Sequence, residues 1–135
     1  MVKITASYLG ELHCELKHEP SGSILETDAP KDNMGKGEAF SPTDLTAASL
    51  LSCMLTTMAI SAKRNNKELS DMSGEVIKEM SADAPRRIAK LTVTIRMPGG
   101  LSKEERTAYE QVGNNCPVFK SLSPAIQIVT NYFYS

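Results

Sequence analysis

The sequence predicts an α+β fold in a single domain, with the element order βββ–α–ββ–αα–β. Three observations predict it. Apolar and polar residues alternate near both ends of the chain, as they do in half-buried strands. An 18-residue run, 45–62, carries no charge and follows a helix-starting Ser41-Pro42 pair. Further capped helical segments and alternating segments then follow one another to the end. The 135 residues suit one domain and can bury a core without cross-links.

The elements follow in order. Residues 2–9 set Val2, Ile4, Ala6 and Tyr8 against Lys3, Thr5, Ser7 and Leu9. Gly10 interrupts, and residues 11–18 place Leu12, Cys14 and Leu16 on one face, with His13, Glu15 and Lys17 on the other. Pro20, Ser21 and Gly22 make a turn into a third short strand, 23–28. The three strands form an antiparallel meander. Residues 29–40 hold one Pro, two Gly and several charges, which spells a loop; loops of this length are often functional.

The main helix starts with Ser41 as N-cap, Pro42 at the first position and Asp44 at the third. This is a capping box with Asp in place of Glu. The helix runs to about Arg64, where Lys63 and Arg64 suit the negative end of its dipole. Its charge-free stretch is long enough to raise the question of a membrane span. The hydroxyls of Thr46, Ser49, Ser52, Thr56, Thr57 and Ser61, and the lack of flanking aromatics, argue against one. The alternative is a helix buried on most sides. One small subunit cannot easily surround such a helix, so a homodimer is expected.

Residues 72–80 and 88–97 read as a hairpin with Pro85 near its turn, and Pro98-Gly99-Gly100 stops the second strand. Ser102 caps a polar helix, 103–112, closed by Gly113, Asn114 and Asn115. Pro117 opens a short helix, 117–122, Pro124 ends it, and 125–134 is the last strand.

Composition narrows the function. Fifteen basic and 16 acidic residues give a net charge of −1, and 5% of residues are aromatic with no Trp. Neither a nucleic-acid surface nor an anionic membrane is the expected partner. The N-terminal segment lacks the apolar stretch of a secretory signal, so a cytoplasmic location is expected. Cys14, Cys53 and Cys116 are odd in number and widely spaced, which is not a disulfide framework. With no CxxC and only His13 and His18, neither a metal nor another cofactor is expected.

Structural, catalytic and redox-sensing roles stay open for the thiols. Cys116 precedes Pro117 at a helix N-cap, where partial positive charge lowers a thiol pKa. It is equally a small residue that fits a turn. Cys53, mid-helix in the apolar run, reads by periodicity as core. Cys14 reads as structural, and the two histidines as surface residues. Asp44, nine residues before Cys53, reads as a plain cap.

The stretch GKGEAFSPTDLTAASLLSCMLTTMAISAK resembles the central segment of the OsmC/Ohr family: a Gly-rich loop, Pro, an acid, Leu, then a small-residue helix bearing Cys. NNCPVFKSLSPAIQIV resembles the second signature of that family, with the cysteines 63 positions apart. The resemblance implies an intertwined homodimer with the long helices central and sites at the interface. It implies that Cys53 is the peroxidatic thiol and Cys116 the resolving one, against the N-cap argument. The implied activity is thiol peroxidase, reducing organic hydroperoxides at the expense of a dithiol reductant, in oxidative or osmotic stress defence. The alternative is a non-catalytic relative that binds a small apolar ligand at the dimer interface. The chain departs from the best-understood members at two points. Their activating Glu corresponds to Thr43, with Asp44 next to it, and residues 1–63 contain no Arg to match their activating Arg. His13 and Lys17 are the candidate substitutes, though neither offers the planar fork of Arg.

Overall fold

The structure, a computed structural model, describes residues 1–135. The elements are β1 (Ile4–Gly10), β2 (His13–His18), β3 (Ile24–Asp28), a 3-10 turn (Lys31–Asn33), α1 (Pro42–Arg64), β4 (Ser73–Met80), β5 (Ile88–Met97), α2 (Lys103–Gly113), α3 (Pro117–Ser121) and β6 (Gln127–Tyr134). The class is α+β and the order is the expected one. The chain divides into two compact units, Met1–Thr46 and Ala47–Ser135, with the first turn of α1 in one and the remainder in the other.

The first unit is the meander. β1 pairs antiparallel with β2, and β2 with β3. The loop after β3 is more structured than its composition suggests. The Asp28 N–H donates to the Phe40 carbonyl (3.1 Å), and the Glu38 N–H donates to the Asp28 carboxylate (2.9 Å). Asp28 is buried and accepts a 2.6 Å hydrogen bond from Nδ1 of His13. One residue, Asp28, therefore ties the loop's two ends together, through its backbone N–H and its carboxylate. Its burial is tolerated because its oxygens find donors. Where the loop meets α1, Ser41 and Asp44 form the reciprocal cap: the Asp44 N–H donates to Ser41 Oγ (3.1 Å) and the Ser41 N–H to the Asp44 carboxylate (2.9 Å).

The second unit holds the main core. Ala47, Leu50, Met54, Met58 and Ala62 recur every three or four residues along α1 and are buried. They join Leu91, Val93, Ile95 and Met97 from one face of β5, with Tyr109 of α2 and Cys116. β5 is the middle strand, antiparallel to β4 and parallel to β6. The parallel pair needs a long crossover, and α2 and α3 supply it. Gly74 lets α1 sit close to this sheet: a Cβ there would fall 2.8 Å from the Thr94 carbonyl and 2.9 Å from Leu51 Cδ1.

Two expectations are revised. Gly113 lies inside the last turn of α2, and Asn114, right-handed at φ −71°, is the C-cap. The glycine is needed there for space and not for a left-handed turn. A Cβ on it would meet the Tyr132 hydroxyl at 2.8 Å and Met58 Sδ at 3.3 Å. α1 is also less covered than its charge-free text suggests. One stripe is buried, while Ser49, Ser52, Thr56 and Ile60, again three or four apart, are exposed on another. By length and composition alone this helix could cross a membrane, a test that core helices of soluble proteins also pass.

Candidate active site

Two elements of the second unit build the site. α1 carries Cys53 beside its buried stripe. The sharp link Asn114–Asn115 between α2 and α3 carries Cys116. Pro117, with φ preset for the first helical position, starts α3 immediately after it. Cys116 is the N-cap of α3, and its sulfur accepts from the Phe119 N–H at 3.5 Å.

The two thiols are neighbours close enough for each to shift the other's ionisation. Cys53 is half-buried and Cys116 fully buried, and both are free thiols, as is half-buried Cys14 of β2. Burial opposes ionisation of Cys53. Against it act the Val118 N–H at the start of α3, the Cys116 thiol and the Thr57 hydroxyl, and together they hold the Cys53 thiol below its usual value. The Thr57 Oγ1 lies 3.8 Å from the Cys53 sulfur, one helical turn on. All three of these groups are neutral. Cys116 moves the other way: burial pushes its thiol up, the Phe119 N–H pulls it down, and the neighbouring Cys53 adds to the rise.

This reverses the order expected from the N-cap position. The reason is local. α3 has only five residues, so its dipole is slight, and one of its free N–H groups serves Cys53 as well.

The other candidates lie in the first unit and are already engaged there. Thr43 Oγ1 is 3.2 Å from Ser41 Oγ. Asp44 accepts from Ser41 within the cap. His13 bonds Asp28 through Nδ1 and Glu26 through Nε2 (3.3 Å), and Lys17 pairs with Glu19 at 3.6 Å. The contacts of His13, first with Asp28 and then with Glu26, raise its pKa, and His13 in turn holds the Asp28 carboxyl down. His13 is therefore half-buried and paired, contrary to its reading as a plain surface residue. Sequence reasoning passed over Thr57 and the Val118 N–H. The i, i+4 spacing of Thr57 from Cys53 was the available signal for the first.

A long helix with a mid-helix thiol, beside a second thiol at the cap of a short helix, makes this a two-thiol protein on an α+β scaffold. The OsmC-like protein family matches residues 35–131, and the chain belongs to that family. Its fold is the OsmC/Ohr fold. Among solved structures it is similar to a candidate osmotic stress induced and detoxification response protein from Psychrobacter arcticus 273-4. The two are 39% identical, with 98% of this chain and 96% of that one covered and a TM-score of 0.91. The fold is shared with an organic hydroperoxide resistance protein OsmC from Legionella pneumophila (20% identity, 98% and 96% covered, TM-score 0.73). It is shared too with the organic hydroperoxide resistance protein OhrB of Bacillus subtilis (18%, 98% and 97%, 0.72). A comparison with curated proteins finds no match.

Proposed function

We propose that the protein is a thiol peroxidase that reduces organic hydroperoxides in stress defence, with Cys53 as the peroxidatic and Cys116 as the resolving thiol. The observation that carries this is the setting of two free thiols: half-buried Cys53 on α1 with the Thr57 hydroxyl 3.8 Å away, and fully buried Cys116 capping α3. This setting holds the Cys53 thiol down and pushes the Cys116 thiol up. A nucleophile needs its thiolate, and a resolving thiol is best kept protonated until its turn. Family membership and the stress-related names of its structural neighbours support a redox or stress role.

The chemistry runs in three steps. The Cys53 thiolate attacks one peroxide oxygen, the O–O bond breaks, and the alkoxide takes a proton and leaves as an alcohol. Cys53 is left as a sulfenic acid. The Cys116 sulfur attacks the Cys53 sulfur, a disulfide forms, and the hydroxyl leaves as water. A dithiol reductant then gives two electrons and two protons by exchange through a mixed disulfide. No cofactor is required. Val118, Thr57 and Cys116 stabilise the thiolate here through neutral donors, in place of the ion pair of the best-understood relatives.

The working form in this proposal is a homodimer that covers the uncharged exposed stripe of α1, in a reducing compartment such as the cytoplasm. Nucleic acid and membranes are not partners. The test is loss of free thiols on titration with cumene hydroperoxide and hydrogen peroxide. Stoichiometric loss of two thiols, faster with the organic peroxide, is expected. The second reading, a non-catalytic binder of a small apolar ligand, draws on one feature: Thr43 and Asp44, at and beside the position of the activating Glu, take part in the helix cap. Thiols inert to both peroxides would favour it.

A further inference from the structure

We propose that Tyr132 is a positioning residue that holds Cys116 within reach of Cys53. The proposal rests on the two-thiol reading above for its purpose, but its geometry stands apart from any peroxide. Tyr132 lies on β6, paired in parallel with Ile95 of the central strand β5. Its hydroxyl donates a 2.8 Å hydrogen bond to Asn114 Oδ1. Asn114 is the C-cap of α2 and begins the two-residue link that ends at Cys116. The link has local ties of its own to α2: the Asn114 N–H to the Glu110 carbonyl (2.9 Å), the Asn115 side-chain amide to the Gln111 carbonyl (2.7 Å), and the Asn115 and Cys116 N–H groups to the Val112 and Gly113 carbonyls (3.2 Å each). The Tyr132 bond is the one that ties it to the sheet. Gly113 makes the approach possible, since a Cβ there would collide with the Tyr132 hydroxyl. A side chain anchored in the sheet thus fastens the hinge between α2 and α3, and the first residue after that hinge is a thiol.

The consequence is one of effective concentration. Forming the disulfide requires the two neighbouring sulfurs to close to a covalent S–S bond of about 2.05 Å. A fixed hinge keeps the sulfur near that position, so the dithiol state loses little freedom when the bond forms. A released hinge gives the dithiol state more freedom and makes the disulfide easier to reduce. Burial raises the Tyr132 phenol, which keeps it a neutral donor throughout the working pH range.

The experiment measures the equilibrium between the Cys53–Cys116 dithiol and disulfide against dithiothreitol, after oxidation of the full chain with diamide. Tyr132→Phe keeps the ring and removes the hydroxyl. It should shift the equilibrium about tenfold toward the dithiol, ~30 mV for a two-electron couple. Asn114→Leu should do the same, Asn114→Asp, which keeps an acceptor, should not, and Y132F with N114L should add nothing to either alone. Tyr134→Phe, two residues along β6, should leave the equilibrium within twofold. A residue that only supports the fold would lower the melting temperature without separating N114D from N114L. If Y132F does not fold, the Asn114 pair decides. An unchanged equilibrium in Y132F and N114L, or no Cys53–Cys116 disulfide with diamide, overturns the proposal. A shift with diamide in a protein inert to peroxides would sustain it and remove the peroxidase reading instead.

Discussion

At the residue, the question is which sulfur is the nucleophile. Position in sequence favours Cys116, since it caps a helix. Its surroundings favour Cys53, because Cys116 is fully enclosed while Cys53 collects donors. In a Cys14→Ser, Cys116→Ser variant, where a Ser hydroxyl can still donate, alkylation across pH should give Cys53 an apparent pKa below the free-cysteine value of about 8.5. The complementary variant lacking Cys14 and Cys53 should give a slower-reacting Cys116 at neutral pH. Thr57→Val keeps the shape and removes a donor to the Cys53 thiolate. It should slow Cys53 alkylation at pH 7 a few-fold with little loss of stability, because Thr57 is only partly buried. None of this order was legible in the sequence. Thiol reactivity depends on which N–H groups and hydroxyls surround a sulfur in space, and only the family resemblance pointed to Cys53.

At the element, local chemistry was legible wherever it closed on itself within a few residues. The Ser41/Asp44 box and the Ser102 cap were both readable, because each is a pattern of a few residues, and the structure completes the second with the Glu105 side chain. Replacing Ser41 by Ala removes a buried cap and should cost ~1 kcal/mol or more in denaturant unfolding. The clasp on the 29–40 loop was not legible, since Asp28 reads as one more acid at a strand end and His13 lies fifteen positions away. It carries a pH signature. His13 has its pKa raised from 6.5, so its contribution is fully present below that value and is lost as pH rises through the folded one. Asp28 has its pKa lowered from 3.8, so its contribution is present above that value and is lost as pH falls through the folded one. Hydrogen exchange at the Glu38 amide, corrected for intrinsic rates, should therefore show greatest protection between about pH 4 and 6.5. Protection that is flat from pH 5 to 9 would contradict the clasp.

For the whole molecule, the order of elements could be read from hydrophobic periodicity, but the pairing of β6 with β5 could not. That pairing is parallel and spans a crossover of two helices, and nothing local encodes it. The same holds for the nearness of Cys53 and Cys116. The charge-free α1 marks the remaining question of assembly. Its buried stripe accounts for five residues, and the exposed Ser49, Ser52, Thr56 and Ile60 carry no charge to hold them in water. Light scattering should give a dimer at micromolar concentration, and Ile60→Lys should weaken it. The claim at the centre of the account is that peroxide passes its oxidation from Cys53 to Cys116. The most direct measurement is mass spectrometry of the protein after one equivalent of cumene hydroperoxide, with and without a sulfenic-acid trap. The account predicts a Cys53–Cys116 disulfide in the intact protein and a trapped sulfenic acid on Cys53 in Cys116→Ser. A trapped sulfenic acid on Cys116 in Cys53→Ser, or full recovery of both free thiols, would contradict it.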